Sequence, residues 1–320
     1  MTTGGTNWAA LFPGQGSQKV GMGRALAESF PEARAVFERA DEALGEPLSR
    51  LCFEGPEDAL RLTRNTQPAI LATSIAAWEV LAARTASRPA MAAGHSLGEY
   101  SALVAAGVLT FEDALRAVRL RGEAMQEAVP VGQGAMAAVL GLEAGAVAEL
   151  CRELAGEDEV LVPANFNAPD QTVVAGHAAA VDRLCAASRQ RGARRAIRLP
   201  VSAPFHSPLM EPAASRLAGH LGSIAFAEAA FPVLSNVDAE PTRGGDDARR
   251  RLVAQVASPV RWVETVRRLA AEGIGRTVEI GPGRVLSGLV RRSAGEIETL
   301  AFGEPEDLGG VLASLEGESP

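Results

Sequence analysis

Lysine is almost missing from this chain: Lys19 stands alone, and the rest of the 31 basic residues are arginine. Imine chemistry, which needs an amine nucleophile, is left with one unpromising side chain. So many arginines read as compositional bias, and one of them acquires a role only from its context. Cysteine is scarce as well. Cys52, Cys151 and Cys185 are odd in number, far apart and not at metal-ligand spacing. That excludes a disulfide framework, gives no metal site, and leaves reduced core thiols. There is no basic excess: the net charge of −8 and a pI near 5.2 argue against a nucleic-acid partner. No uninterrupted apolar run approaches a membrane span, and Met1-Thr2-Thr3-Gly4-Gly5 shows no basic stretch leading into an apolar one. The expectation is a cytoplasmic protein that makes no use of a membrane.

The 320 residues do supply a sizeable core, being 47% hydrophobic and 22% charged. That suits one large α/β domain, or one domain carrying a smaller insertion. Trp8–Phe12 is a short apolar run ending at Pro13-Gly14-Gln15-Gly16-Ser17-Gln18, which reads as a buried strand feeding a glycine-rich loop. Helical spacing follows over 22–44 and again over 67–83, the second helix being entered through Pro68, a favoured first-turn residue. Residues 91–93 read as a strand, and 99–106 and 111–128 as helices. The pattern then changes. Strands at 134–140, 160–164, 172–175 and 194–201, helices at 144–155 and 177–191, and a loop at 165–170 give the β-α-β-β-α-β order of a ferredoxin-like unit. Strands at 231–236 and 277–280 resume the α/β pattern, and the tail 317–320 is expected to fray. We therefore expect residues 130–203 to form an inserted ferredoxin-like subdomain, with 1–129 and 204–320 making up a discontinuous main subdomain.

Gly94-His95-Ser96-Leu97-Gly98, after a short strand and before a helix, has the form of a nucleophile elbow, a tight turn that lifts a serine above the sheet. On a parallel-rich sheet it makes the main subdomain hydrolase-like, in three layers. The plainer alternative is an ordinary strand-to-helix turn with serine as helix cap. A serine hydroxyl needs a base, and the chain offers four histidines. His95 adjoins the serine and should point away from it; His177 opens a helix, and His220 sits within one. His206 lies in Ser202-Ala203-Pro204-Phe205-His206-Ser207-Pro208, a proline-stiffened loop where the chain leaves the insertion, a natural cleft wall. It is the best base, against the alternative of a loop histidine capping a carbonyl. No acidic residue presents itself as the group that orients the imidazole, so a backbone or amide carbonyl is an alternative.

In order along nearly the whole chain stand Phe12-Pro13-Gly14-Gln15-Gly16-Ser17-Gln18, Thr66-Gln67-Pro68-Ala69, the serine motif with Glu99-Tyr100, Arg121-Gly122 with Met125, Asn165-Phe166-Asn167, Phe205-His206-Ser207, Ser258-Pro259-Val260-Arg261-Trp262 and Gly281-Pro282-Gly283. This set resembles the malonyl-CoA:acyl-carrier-protein transacylases and the related acyltransferase domains of polyketide synthases. The resemblance implies a Ser96–His206 dyad, with the imidazole held by the main-chain carbonyl of Gln255. It implies an oxyanion hole from the amides of Gln15 and Leu97, and Arg121 gripping the free carboxylate of a malonyl group. Without it, Arg116, Arg119 and Arg121 read as a solvated helix face. Phe205, Met125 and Asn167 are implied as further substrate contacts. Phe205 and Leu97 match malonyl-selecting members, although many bacterial fatty-acid enzymes have serine at the position of Phe205, so fatty-acid and polyketide synthesis both stay open.

The implied reaction is a ping-pong transfer from malonyl-CoA through a Ser96 ester to the phosphopantetheine thiol of an acyl carrier protein. It uses no permanently bound cofactor and no metal, and the enzyme is expected to be a monomer. The first glycine loop lacks the Gly-Lys-Ser/Thr ending of a phosphate-binding loop. Gly281-Pro282-Gly283 reads as a structural turn in preference to a phosphate contact. Two rivals are a hydrolase of the same family that clears carrier proteins, which would share the dyad but has no need of Arg121, and a non-catalytic carrier-protein docking module, against which intact Ser96, His206 and Gln15 argue.

Overall fold

The computed structural model describes residues 7–201 and 203–317. The fraying expected beyond Gly317, the first residues of the chain and Ser202 fall outside them. Among the described residues ten strands are formed: β1 (Trp8–Phe12), β2 (Met91–Gly94), β3 (Gly134–Leu140), β4 (Leu161–Ala168), β5 (Gln171–His177), β6 (Arg195–Arg198), β7 (Val233–Leu234), β8 (Pro241–Thr242), β9 (Arg276–Ile280) and β10 (Glu298–Phe302). The larger sheet runs β10-β9-β1-β2-β7-β8, and every pairing in it is parallel except β7 with β8. Alternation along β1 sends Trp8, Ala10 and Phe12 into one apolar core and Ala9 and Leu11 into another on the opposite face. Both faces are covered by helices, which is why this strand carries no polar residue.

From β1 the chain builds outward through β2, β7 and β8, then returns to add β9 and β10 on the other side. That reversal makes β1 the switch point, and a crevice opens beyond the carboxyl ends of the strands beside it. The glycine-rich loop follows β1 there, and the serine motif follows β2.

The smaller sheet runs β4-β5-β3-β6, all antiparallel, the strand order of a ferredoxin-like unit. Ala135, Ala137 and Val139 of β3 face its own two helices, whereas Met136 joins the core of the main sheet. One face of this sheet is thus pressed against the rest of the molecule.

Several sequence-derived boundaries need correcting. The run 22–44 is two helices, Arg24–Ser29 and Pro31–Leu44, because the residue before a proline is driven to extended geometry and Phe30 takes φ −131°, ψ 124°. The helix expected at Pro68 begins at Thr63, and Pro68 lies inside it. Its first turn is already closed by Asn65 and Thr66 amides on the Leu62 carbonyl, with the Thr66 hydroxyl on Leu60 and Leu62. The 165–170 loop is mostly strand: β4 continues to Ala168 because Phe166 N–H finds the Val260 carbonyl and Val260 N–H finds that of Ala164. The strand expected at 231–236 shrinks to two residues.

Three glycines make the crevice possible. A Cβ on Gly98 would collide with the Phe12 carbonyl, one on Gly94 with the Gly98 backbone, and one on Gly14 with the His95 carbonyl. Backbone cannot yield as a flexible side chain can. Gly98→Ala should therefore lower the unfolding free energy by about 3 kcal/mol in urea titrations. Gly145→Ala, in the helix Ala144–Leu154 where a Cβ meets nothing within 4 Å, should raise it by about 0.5–1 kcal/mol. Equal losses for the two would contradict this packing argument.

Candidate active site

Ser96 occupies the turn between β2 and the helix Gly98–Ala105 with φ at 52°, a strained value for a residue with a Cβ. Leu97, not Ser96, is the helix cap residue. The serine is free for another partner: its Oγ lies 2.7 Å from His206 Nε2. His206 is also left-handed, at φ 57°, and only 4% exposed. Its Nδ1 lies 2.9 Å from the Gln255 carbonyl and 3.2 Å from that of Ser258. Carbonyls only accept, so Nδ1 carries the proton and Nε2 presents its lone pair to the serine O–H. Carbonyls orient this imidazole where an aspartate often does in a serine-histidine pair.

Burial, and next the neighbouring Arg121 charge, push the His206 pKa down to about 3, the carbonyl contacts offsetting only part of this. The imidazole is a neutral acceptor over the whole physiological range. His95 follows expectation in turning aside: its Nε2 lies 2.8 Å from Asn167 Oδ1, and its ring sits 5.5 Å from that of Trp262.

Arg121 leaves the solvated face on which Arg116 remains. It is 2% exposed, on the helix Phe111–Glu127, whose first turn is capped by the Thr110 hydroxyl accepting from Asp113 N–H. Gly122 lets this helix close on the helix Thr63–Ala82, since a Cβ there would stand 2.7 Å from Arg64 Cα. The guanidinium enters the core by that route. Nη1 donates to Gln67 Oε1 at 2.9 Å; Nη2 donates to Gln255 Oε1 at 2.9 Å and to Ser96 Oγ at 3.0 Å.

Ser96, His206, Arg121, Gln15, Met125 and Phe205 line one cavity of about 110 Å³, closed on its far side by Met136, Asn165, Leu199 and Val201 from the smaller sheet and the segment that follows it. Asn167 lines an adjoining cavity of about 140 Å³ with Gly14, Ser17 and Leu289; Gln15 and His95 border both. Asn167, expected as a substrate contact, faces this adjoining cavity with its Oδ1 on His95, and Asn165 is the asparagine that lines the cavity of Ser96. Among the described residues, the amides of Gln15 and Leu97 donate to no other group of the chain.

Sequence reasoning gave no role to Gln67, Glu99 or Asn236. Asn236 Oδ1 accepts from Ser96 N–H at 2.6 Å and its Nδ2 donates to the Gly94 carbonyl at 2.7 Å, pinning the elbow from both ends. Gln67 stands in the motif Thr66-Gln67-Pro68-Ala69, without a role assigned to it there; nothing comparable marked Asn236. The cysteines take no part: burial pushes the Cys52 and Cys151 thiols up to about 12. Among the described residues no group of three or more His, Cys, Asp or Glu side chains could hold a metal, and no helix is long and apolar enough to cross a membrane.

Residues 10–301 match the family of the acyl transferase domain. The malonyl CoA-acyl carrier protein transacylase of Escherichia coli strain K12 is 47% identical over 307 residues, covering 96% of this chain and 99% of the relative. That of Bacillus subtilis strain 168 is 47% identical over 97% and 98% of the two chains. Among solved structures, a malonyl-transacylase in complex with a type II polyketide synthase acyl-carrier protein superposes with a TM-score of 0.94 at 44% identity, covering 98% of this chain and all of the other. The transacylase from Coxiella burnetii gives 0.95 at 41% identity, over 97% and 98%.

The depressed pKa of His206 has a direct readout. Its ring nitrogens, followed by NMR, should stay in the neutral Nδ1–H form from pH 8 to below pH 5, and a titration near the ordinary 6.5 would contradict the geometry. The folded-state value lies below the unfolded one, so the unfolded chain takes the proton first. Stability tied to neutral His206 is complete above about pH 6.5 and declines as pH falls towards 3.

Proposed function

This chain belongs to the malonyl-CoA:acyl-carrier-protein transacylase family, and on that footing we propose that it transfers malonyl from malonyl-CoA to the phosphopantetheine thiol of an acyl carrier protein, for fatty-acid or polyketide synthesis. The observation that carries the proposal is the contact of Ser96 Oγ with both His206 Nε2 and Arg121 Nη2. A nucleophile, its base and a buried cation meet at one oxygen.

His206 Nε2 takes the Ser96 proton as Oγ attacks the thioester carbonyl. The amides of Gln15 and Leu97 receive the oxyanion, and Arg121 holds the malonyl carboxylate. Collapse expels the coenzyme A sulfur, which takes the proton from His206. The carrier thiol then gives its proton to His206 and attacks the malonyl ester, and Ser96 Oγ leaves with that proton. Coenzyme A and phosphopantetheine act as parts of the substrates, and no resident cofactor or metal has a step.

The pantetheine arm is assigned to the adjoining cavity, between the main subdomain (1–129 and 204–320) and the inserted one (130–203) that we adopt as the division of the chain. Walls from both units limit the access of water to the ester. Phe205 borders the acyl end and favours malonyl over bulkier acyl groups. A carrier-clearing hydrolase has no need of a buried guanidinium, and a docking module has no need of a hydrogen-bonded dyad. We read the enzyme as a cytoplasmic monomer.

Intact-mass measurement tests the proposal. Malonyl-CoA should leave a malonyl adduct on the wild type that a holo carrier protein removes, and Ser96→Ala should carry none. Arg121→Ala should lower kcat/KM for malonyl-CoA by roughly 100-fold relative to acetyl-CoA, about the worth of two charge-assisted hydrogen bonds less their solvation. An adduct on Ser96→Ala, or an unchanged ratio in Arg121→Ala, would sink it.

A further inference from the structure

Glu99 is a carboxylic acid with no part in the chemistry above, yet it lies three residues beyond the nucleophile and is only 3% exposed. Its Oε2 accepts from Asn236 N–H at 3.0 Å and from Gln255 Nε2 at 2.7 Å. The second hydrogen on that same Gln255 nitrogen goes to the Ser96 carbonyl at 3.0 Å. With both N–H groups taken, the Gln255 amide has one orientation. Its Oε1 faces Arg121 Nη2, while its main-chain carbonyl holds His206 Nδ1. A flipped amide would set oxygen against the Glu99 and Ser96 oxygens, and N–H against a guanidinium.

The geometry points to Glu99 as a positioning residue for acyl-group selection: by anchoring the Gln255 amide, it holds Arg121 where the guanidinium reaches both Ser96 Oγ and an incoming carboxylate. The inference rests on the assignment of Arg121 to the malonyl carboxylate. Burial raises Glu99 to about 7, against the pull of its two N–H donors and of the Arg121 and Arg251 charges. Carboxyl and carboxylate both leave an oxygen able to accept, so the role belongs to where the oxygen sits rather than to its charge.

Two substitutions separate position from charge. Glu99→Asp keeps the charge but withdraws the oxygen by one methylene; Glu99→Gln keeps an acceptor oxygen in place and drops the charge. With holo carrier protein as acceptor, Glu99→Asp should lower kcat/KM for malonyl-CoA about 10-fold, at the lower end of what outer-shell partners control, and leave acetyl-CoA within about twofold. Glu99→Gln should stay within about threefold of wild type on malonyl-CoA. Parallel loss on both donors in Glu99→Asp, or a loss in Glu99→Gln as large as in Glu99→Asp, would overturn the inference. Arg121→Ala, measured alongside, distinguishes the failures. If it shifts the malonyl-to-acetyl ratio while Glu99→Asp does not, only the role of Glu99 falls; if it does not shift the ratio, both readings fall.

Discussion

The site depends on backbone packed against backbone at the carboxyl ends of β1 and β2. Gly98 lies where any side chain would strike the Phe12 carbonyl, and Gly14 where it would strike that of His95. His95 N–H in turn donates to Phe12 at 3.1 Å. With no Cβ between them, the glycine-rich loop and the serine turn form one surface, and it carries the two amides proposed to receive the oxyanion, those of Gln15 and Leu97. Ser96 is held at φ 52° by that surface and by Asn236, and the strain is stored where a rigid nucleophile is needed.

Electrostatics then decides what the dyad can do. An aspartate behind His206 would stabilise the imidazolium; two carbonyls do so more weakly, and the Arg121 charge works against it. The result is a base that is neutral at rest and weak as a proton store. In the proposed cycle ester formation and thiolysis both pass a proton in and out of the same nitrogen, so a base that releases its proton readily suits a reaction running in either direction. The absent acid is thus compatible with the chemistry.

Much of this was legible in the residues. The all-apolar β1, the strand-turn-helix around Ser96 and the β-α-β-β-α-β order are local patterns, and local patterns are what one sequence displays. His206 stood out through the prolines about it. Position in three dimensions was not legible: Asn165 and Asn167 are two residues apart on one strand, but its pairing with β5 slips between Phe166 and Ala168, and one lines the serine cavity while the other meets His95 beside the adjoining one. Arg121 could not be told from Arg116 by periodicity, because its burial follows from Gly122 admitting a neighbouring helix. Glu99 stands three residues from Ser96 in the chain, but the side chains of Asn236 and Gln255 reach the elbow and Glu99 only in the assembled fold.

In the role proposed for it, Arg121 also bounds how strict such a site can be. Sites that reject an analogue by 10⁴-fold or more do so by leaving buried polar groups unpaired when the wrong ligand binds. Here the guanidinium has Gln67, Gln255 and Ser96 as partners before any substrate arrives; only its Nε is buried without one. A donor lacking a carboxylate therefore leaves Arg121 largely satisfied, and loses the charge-assisted pair without adding a full desolvation penalty. Discrimination of about two orders of magnitude follows from that arrangement, enough to favour a diacid thioester without excluding its monoacid analogue.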